Sequence, residues 1–310
     1  MSPAAPDPKM LSSMDSEHLS PYRSDGKLYG FVCIVTGATQ PIGRAITMEL
    51  AAHGAACVYA CSTTSQDQPD DLPNTINPVH PNTKIVPYPL NPAAEEDTLT
   101  LIDEVLNTWG RLDVWVSSCG LLGSPTLETT APSDLRKCFE ANAMAPFFAL
   151  KYAPPAMAKT TPRGTYPNAA PKEVEYGSIV VVSSVASTYG GCWGPCFTMT
   201  SHAALGVVRA GVTSLKGSNV RINCISPGQI DIGLSLDDMD LARTQLPPNP
   251  ASLQSQKLQR EHIALGRSGL PQEVGKVAGF LASGFSSYIT GANLVVDGGA
   301  TTMNPLSVPI

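Results

Sequence analysis

The chain has 310 residues, 43% of them apolar, with 20 Lys and Arg against 26 Asp and Glu for a net charge of −6. Its pI is near 5.3 and its mean hydropathy is +0.01. This is a globular composition with ample core material, which excludes a disordered chain; the acidic balance, without a Lys/Arg cluster, excludes nucleic acid and anionic membrane as expected partners. Charged residues reach only 15%, against a typical ~25%. The leading MSPAAPDPKMLSSMDSEH has no basic region followed by an apolar one, so it is not read as a secretory signal. The eight cysteines are scattered through apolar segments, which predicts reduced thiols and a cytoplasmic location.

Strand and helix patterns alternate along the chain. FVCIVT at 31–36 is a short apolar run that predicts a first buried strand. Helical spacing follows over 41–53, with Ile42, Ala45, Ile46 and Leu50 on one face. ACVYA at 56–60 predicts a second strand, the polar, Pro-rich 62–83 a long loop, and 84–87 a third strand. Residues 95–109 repeat apolar positions at Leu99, Ile102, Val105 and Leu106 and predict a helix ended by Gly110. A fourth strand is expected at 114–116 and a mostly helical stretch at 133–157, with Pro146 and Pro154-Pro155 as breakers. A hydrophilic insert at 159–176 precedes a fifth strand at 178–182. Then come a helix at 203–215, a sixth strand at 220–225, a helix at 273–282 and a seventh strand at 293–296. Such alternation, with continuous apolar strands, predicts an α/β fold with a parallel sheet covered on both faces. Residues 1–27 are expected to be a flexible leader, 28–302 one domain and 303–310 a tail.

The first strand runs into Thr36-Gly37-Ala38-Thr39-Gln40-Pro41-Ile42-Gly43 and then a helix. A Gly turn at a helix N-terminus offers free N–H groups and the positive end of the helix dipole to a phosphate. Together with LDVWVSSCG at 112–120, FEANAMAPFF at 139–148, IVVVSSVAS at 179–187, VRINCISPG at 220–228 and the segments at 266–300, this order resembles the short-chain dehydrogenase/reductase superfamily over about residues 28–302. The resemblance implies a Rossmann-type, doubly wound, seven-stranded parallel sheet, a nicotinamide dinucleotide (NAD(H) or NADP(H)) and hydride transfer. It implies cofactor contacts at Gly37, Thr39, Gln40, Ile42, Gly43, Asn91, Ser118, Cys119, Gly120, Pro227, Gly228 and Ile230. It also implies a homodimer or homotetramer.

The family's machinery is an Asn-Ser-Tyr-Lys set. Asn142 and Ser184 fall on the first two members. The Tyr position, thirteen residues beyond Ser184, holds Phe197, and the Lys position four further on holds Ser201. Phe197 has no proton to exchange, and Ser201 has no charge with which to lower a neighbour's pKa. General acid–base catalysis is worth ~10²–10⁴-fold, so loss of the pair argues against the usual mechanism. The cofactor side is altered too. Pro41 stands where a Gly is usual, although Pro suits a first helical position; Ser117-Ser118 replaces an Asn pair, Asn91 an Asp, and Ile232 a Thr. Cys61-Ser62-Thr63, after the second strand, brings neither an acid for a ribose nor an Arg for a 2′-phosphate.

Other groups are candidates for chemistry. Ser184 and Asn142 form a pair able to orient a carbonyl, though Asn142 equally suits bonding of backbone groups in its helix. Asp231 is a candidate base near the pocket mouth, against a solvated loop Asp or helix cap. Tyr189 is the only Tyr near Ser184, and with Trp193 it is expected on the loop after the fifth strand, as ligand contact or as lid packing. His202 is read as helix packing, Cys57 and Cys61 as core, Cys192 and Cys196 as pocket-lining thiols and Cys119 as inert filling. No metal site is expected. These readings favour a non-redox catalyst (a cyclase, isomerase, dehydratase or pericyclase) acting on an apolar small molecule. An atypical NAD(P)H-dependent oxidoreductase and a catalytically silent scaffold are the alternatives.

Overall fold

The computed structural model describes residues 25–63, 71–161, 171–190, 193–232 and 261–303. Much of the predicted leader, all but one residue of the tail, Cys192 and most of the segment after Ile232 therefore lie outside the described residues. Seven strands form one sheet: β1 (Val32–Thr36), β2 (Cys57–Ser62), β3 (Lys84–Pro89), β4 (Val114–Ser117), β5 (Gly177–Val182), β6 (Val220–Pro227) and β7 (Asn293–Val296). Their order is β3-β2-β1-β4-β5-β6-β7 and every pairing is parallel. This is the Rossmann-type sheet expected from the sequence. The order reverses between β1 and β4, so the crevice beyond their carboxyl ends is where such sheets take ligands.

Strand residues alternate between two cores. Val32, Ile34, Cys57, Tyr59, Cys61 and Trp115 face one core, with α3 (Glu95–Trp109), α5 (Ala145–Met157) and α6 (Pro195–Ser214) packed over it. Cys33, Val35, Val58, Val114 and Val116 face the other, under α1 (Pro41–Ala52) and α7 (Pro271–Ala282). Cys57 and Cys61 share one core, as their period-two spacing predicts. No helix among the described residues is long and apolar enough to cross a membrane.

Three boundaries differ from expectation. The expected loop at 62–83 contains a short helix, α2 (Asp71–Ile76), because Leu72 and Ile76, one turn apart, are both buried. Helix α6 begins at Pro195, a residue suited to a first turn, and not at 203. Pro154 and Pro155 do not break α5, which runs on to Met157. Pro146 does alter the helical run. The chain passes from α4 (Pro132–Phe139) through a π turn (Glu140–Met144), in which the Ala145 N–H reaches back to the Glu140 carbonyl, before α5 begins. Having no N–H, Pro146 withdraws the donor that the Asn142 carbonyl would use in a regular α-helix.

The hydrophilic insert does not stay on the surface. Its Lys172 is completely buried and donates to the Leu112 and Met157 carbonyls at 2.9 and 2.7 Å, with Asp113 at 3.2 Å. Asp113 also takes a fork from Arg111 at 2.8 and 2.9 Å and the Val32 N–H at 2.8 Å. Burial pushes the Lys172 pKa down, and Asp113 opposes that. One carboxylate thus joins β1, β4 and the insert at the end of the sheet away from the crevice. Asp113→Ala strands two buried cations and is expected to cost about 3–5 kcal/mol in a urea unfolding curve; a loss below about 1 kcal/mol would show that the cluster stabilises nothing.

Candidate active site

The β1–α1 turn sets the centre of the crevice. Gly37 has φ +68°, a left-handed value that suits glycine. A Cβ on Gly37 would lie 2.9 Å from the Ser118 carbonyl oxygen, and one on Gly43 would lie 2.1 Å from the Gly37 carbonyl oxygen. Both positions therefore exclude any side chain while the backbone stays in place. The first turn of α1 has Pro41 at its start, no acidic residue and no side-chain cap from Gln40. Helix geometry leaves the Ile42 and Gly43 N–H groups without an intrahelical carbonyl. The result is a bare, positively polarised helix end beside a glycine turn, open to an anionic group.

The end of β4 faces this turn. The Ser118 N–H donates to Thr36 Oγ1 at 3.3 Å. The Ser117 and Ser118 hydroxyls are buried and have no hydrogen-bond partner among the described residues. Cys119 sits beside Thr36, and burial, the larger effect, pushes its thiol from 9.0 to about 11 against a hydrogen bond with Thr36. Gly120 is exposed with open space around its α-carbon. Gly37, Gly43, Ser118, Cys119 and Gly120 are thus brought to one crevice. Thr39 is half-buried and Gln40 exposed in the same turn. Asn91 uses its side chain locally, accepting the Ala93 N–H at 3.1 Å, while its own N–H goes to Asp97. Pro227 is buried at the end of β6, Gly228 donates to Val296, and Ile230 pairs with Gly269.

Hydrogen bonds couple the remaining strand ends to α6. Asn142 accepts the Leu121 N–H at 2.7 Å and donates to the Leu121 carbonyl and to Thr200 Oγ1, both at 2.8 Å. Thr200 in turn donates to the Cys196 carbonyl at 2.8 Å. An amide has two N–H donors, and both are spent here. The expectation that Asn142 helps to orient a substrate carbonyl is thereby corrected: it fixes the loop after β4 against α6. Ser183 Oγ donates to the Ser201 carbonyl at 3.3 Å and ties the end of β5 to the same helix. Ser184 Oγ accepts the Ala186 N–H at 3.2 Å and caps the 3₁₀ turn Val185–Ser187. That bond fixes one lone pair and leaves the Ser184 hydrogen to be donated.

The other candidates scatter. Asp231 is exposed, with its N–H on the Gly269 carbonyl, and not enclosed as a general base would be. Tyr189 is exposed on the loop after β5. His202 is exposed and bonds the Thr198 carbonyl of its own helix at 2.9 Å. Cys196 is fully buried against Gly123 beside Cys138, which corrects its reading as a pocket-lining thiol. Ser201 is buried on α6, while Phe197 is half-buried and packs with Trp193 on Val185 and Ala186. Thr200 escaped the sequence reading; its signal was a Thr placed inside a helix, where its hydroxyl bonds the carbonyl four residues back.

A family model described as enoyl-(acyl carrier protein) reductase matches residues 37–301. The chain belongs to the short-chain dehydrogenase/reductase superfamily. It is 29% identical over 273 residues to a 3-oxoacyl-(acyl-carrier-protein) reductase of Thermotoga maritima, covering 88% of this chain and 98% of that one. It is 28% identical over 276 residues to an L-rhamnose-1-dehydrogenase of Scheffersomyces stipitis, covering 88% and 97%. Its fold matches a crystal structure of a short-chain type dehydrogenase/reductase from Mycobacterium marinum with a TM-score of 0.71 at 23% identity, over 89% of this chain and 97% of that one. These comparisons overturn the expectation of a cyclase, isomerase, dehydratase or pericyclase, since the relatives are named as a reductase and a dehydrogenase.

Cys119 supplies a test of the crevice electrostatics. A raised thiol pKa means a protonated sulfur at neutral pH, and the shift from 9.0 to about 11 leaves about a hundredfold less thiolate than in an ordinary cysteine. Iodoacetamide is expected to spare Cys119 at pH 7.5 and to label it only as the pH approaches 11, read by peptide mass spectrometry. Rapid labelling at pH 7.5 would refute this environment.

Proposed function

We propose that the protein is an NAD(P)(H)-dependent oxidoreductase that interconverts a carbonyl and an alcohol. The observation that carries this reading is the glycine cradle: Gly43 packed on the Gly37 carbonyl, beside the open N–H groups of Ile42 and Gly43. A pyrophosphate fits this turn because the turn offers N–H donors, the positive helix end and no side chain to obstruct approach. Gly37, Ile42 and Gly43 would hold the phosphates. Ser118, Cys119 and Gly120 would flank the remainder of the nucleotide, with the unpartnered Ser117 and Ser118 hydroxyls available at the end of β4. The names of the relatives support the same redox class.

The overall change in the reducing direction is ketone + NAD(P)H + H⁺ → secondary alcohol + NAD(P)⁺. When bound, the nucleotide supplies or accepts the hydride. The chain's own residues must place the carbonyl and manage the proton. In this reading Phe197 and Ser201 stand at the family's Tyr and Lys positions, so neither handles the proton. Ser184 donates its hydroxyl hydrogen to the substrate oxygen, and water delivers the proton that remains on the alcohol. Asn142, through Leu121 and Thr200, holds the loop after β4 in register with α6. Lacking a charged acid–base pair, the enzyme is expected to be slow with generic carbonyls by ~10²–10⁴-fold.

Calorimetric titration with NADH and NADPH tests the proposal. Binding of either nucleotide with a dissociation constant near ~1–100 μM is the expected result. No heat of binding from either at ~1 mM would remove the oxidoreductase reading.

A further inference from the structure

We infer that Ser187, Ser226 and Asn293 are positioning residues for Ser184: a relay of side-chain hydrogen bonds from the turn after β5 to β6 and β7 holds the Ser184 hydroxyl in its direction. The inference rests on the role given to Ser184 in the oxidoreductase reading. Ser184 depends on its turn for that direction. Its Oγ accepts the Ala186 N–H at 3.2 Å, and its carbonyl accepts the Ser187 N–H at 2.8 Å. The turn itself is a 3₁₀ helix of three residues, Val185–Ser187, and so short a 3₁₀ element has little hydrogen bonding of its own. Beyond it Thr188, Tyr189 and Gly190 are exposed. Burial of Val185 and Ala186 seats the turn, and the Ser187 side chain gives it a directional anchor.

Ser187 Oγ lies 3.0 Å from Ser226 Oγ, and Ser226 Oγ donates to Asn293 Oδ1 at 2.7 Å. A hydroxyl has one hydrogen. Ser226 spends its own on Asn293, so at the first contact Ser187 donates and Ser226 accepts. Asn293 Nδ2 donates to Thr188 Oγ1 at 3.3 Å, and Thr188 Oγ1 lies 3.4 Å from Ser187 Oγ. Ser187 has given its hydrogen to Ser226, so Thr188 donates to Ser187. Four side chains thus close a ring in which every donor points the same way round, an arrangement in which each bond polarises the next.

The inner half of the ring is the stronger. Ser187 and Ser226 are 3% and 0% exposed, and the two bonds made by Ser226 are the short ones. Thr188 is exposed, and there water replaces a lost bond at little cost. The relay joins positions 39 and 67 residues apart in the chain, and it fastens the turn to two strands that pair with each other. Losing the Ser226 hydroxyl, or the acceptor at residue 293, leaves a buried hydroxyl without its partner. An Asp at 293 keeps the acceptor that Ser226 needs and gives up only the donor to Thr188.

The test is amide hydrogen exchange of the full chain without nucleotide, read residue by residue by NMR, on Ser226→Ala, Asn293→Leu and Asn293→Asp. The expected result is that the Ala186 and Ser187 amides exchange about tenfold faster or more in Ser226→Ala and Asn293→Leu, while the Val35 amide of β1 changes by less than about threefold. Asn293→Asp should stay within about threefold of the unchanged chain at Ala186 and Ser187. Rescue by the variant that keeps the acceptor assigns the effect to the relay and not to lost packing. Melting curves establish that the variants fold, and the two Asn293 variants complete the comparison if Ser226→Ala does not. Unchanged exchange at Ala186 and Ser187 in a folded Asn293→Leu protein, equal acceleration at Val35, or Asn293→Asp exchanging as fast as Asn293→Leu would overturn the inference. Nucleotide titration separates the two readings. Failure of NADH and NADPH to bind the unchanged chain removes the oxidoreductase reading and leaves the relay standing, whereas unchanged exchange beside normal nucleotide binding removes only the relay.

Discussion

The close approach of Gly43 to the Gly37 carbonyl is the contact on which the site depends. A Cβ at residue 43 would lie 2.1 Å from that oxygen, well inside van der Waals contact, so α1 can sit this near β1 only because residue 43 has no side chain. That seating aims the start of α1 at the crevice and keeps the Ile42 and Gly43 N–H groups available there. It also sets Gly37 against Ser118 across the strand-order reversal. The proposed nucleotide site depends on this packing and on the absence of an acidic residue in the first turn of α1.

The rest of the crevice is held by neutral hydrogen bonds. Asn142 joins Leu121 to Thr200, Ser183 joins β5 to α6, and Ser187 meets Ser226 at 3.0 Å, with Ser226 donating to Asn293 at 2.7 Å. A buried ion cluster lies elsewhere, at Arg111, Asp113 and Lys172 at the opposite end of the sheet. This division gives the low charged fraction a partial meaning. The reacting end of the molecule is built from hydroxyls, amides and aromatic rings, and its stretches at the ends of β4, β5 and β6 carry no Lys or Arg.

The sheet was legible because its central strands are short apolar runs ended by a turn signal, as in FVCIVT before Gly37 and SIVVV before Ser183. The glycine turn was legible because its geometry needs particular residues at particular spacings. Contacts between distant positions were not. Asn142 and Thr200 are 58 residues apart, and nothing local in either says that they meet. Lys172 looked like part of a solvated insert because its partner Asp113 lies far off in sequence. The functional expectation failed for another reason. Phe197 and Ser201 were read as standing at the family's Tyr and Lys positions, but hydride transfer depends on orientation more than on that pair, so that reading did not license a change of reaction class.

The most direct test of the account is amide hydrogen exchange with and without saturating NADPH or NADH. Binding at the cradle predicts slowed exchange confined to two separated segments, Thr36–Arg44 and Ser117–Leu121, with the Ile42 and Gly43 amides most affected. Unchanged exchange in both segments at saturating nucleotide, or protection confined to another part of the chain, would contradict it.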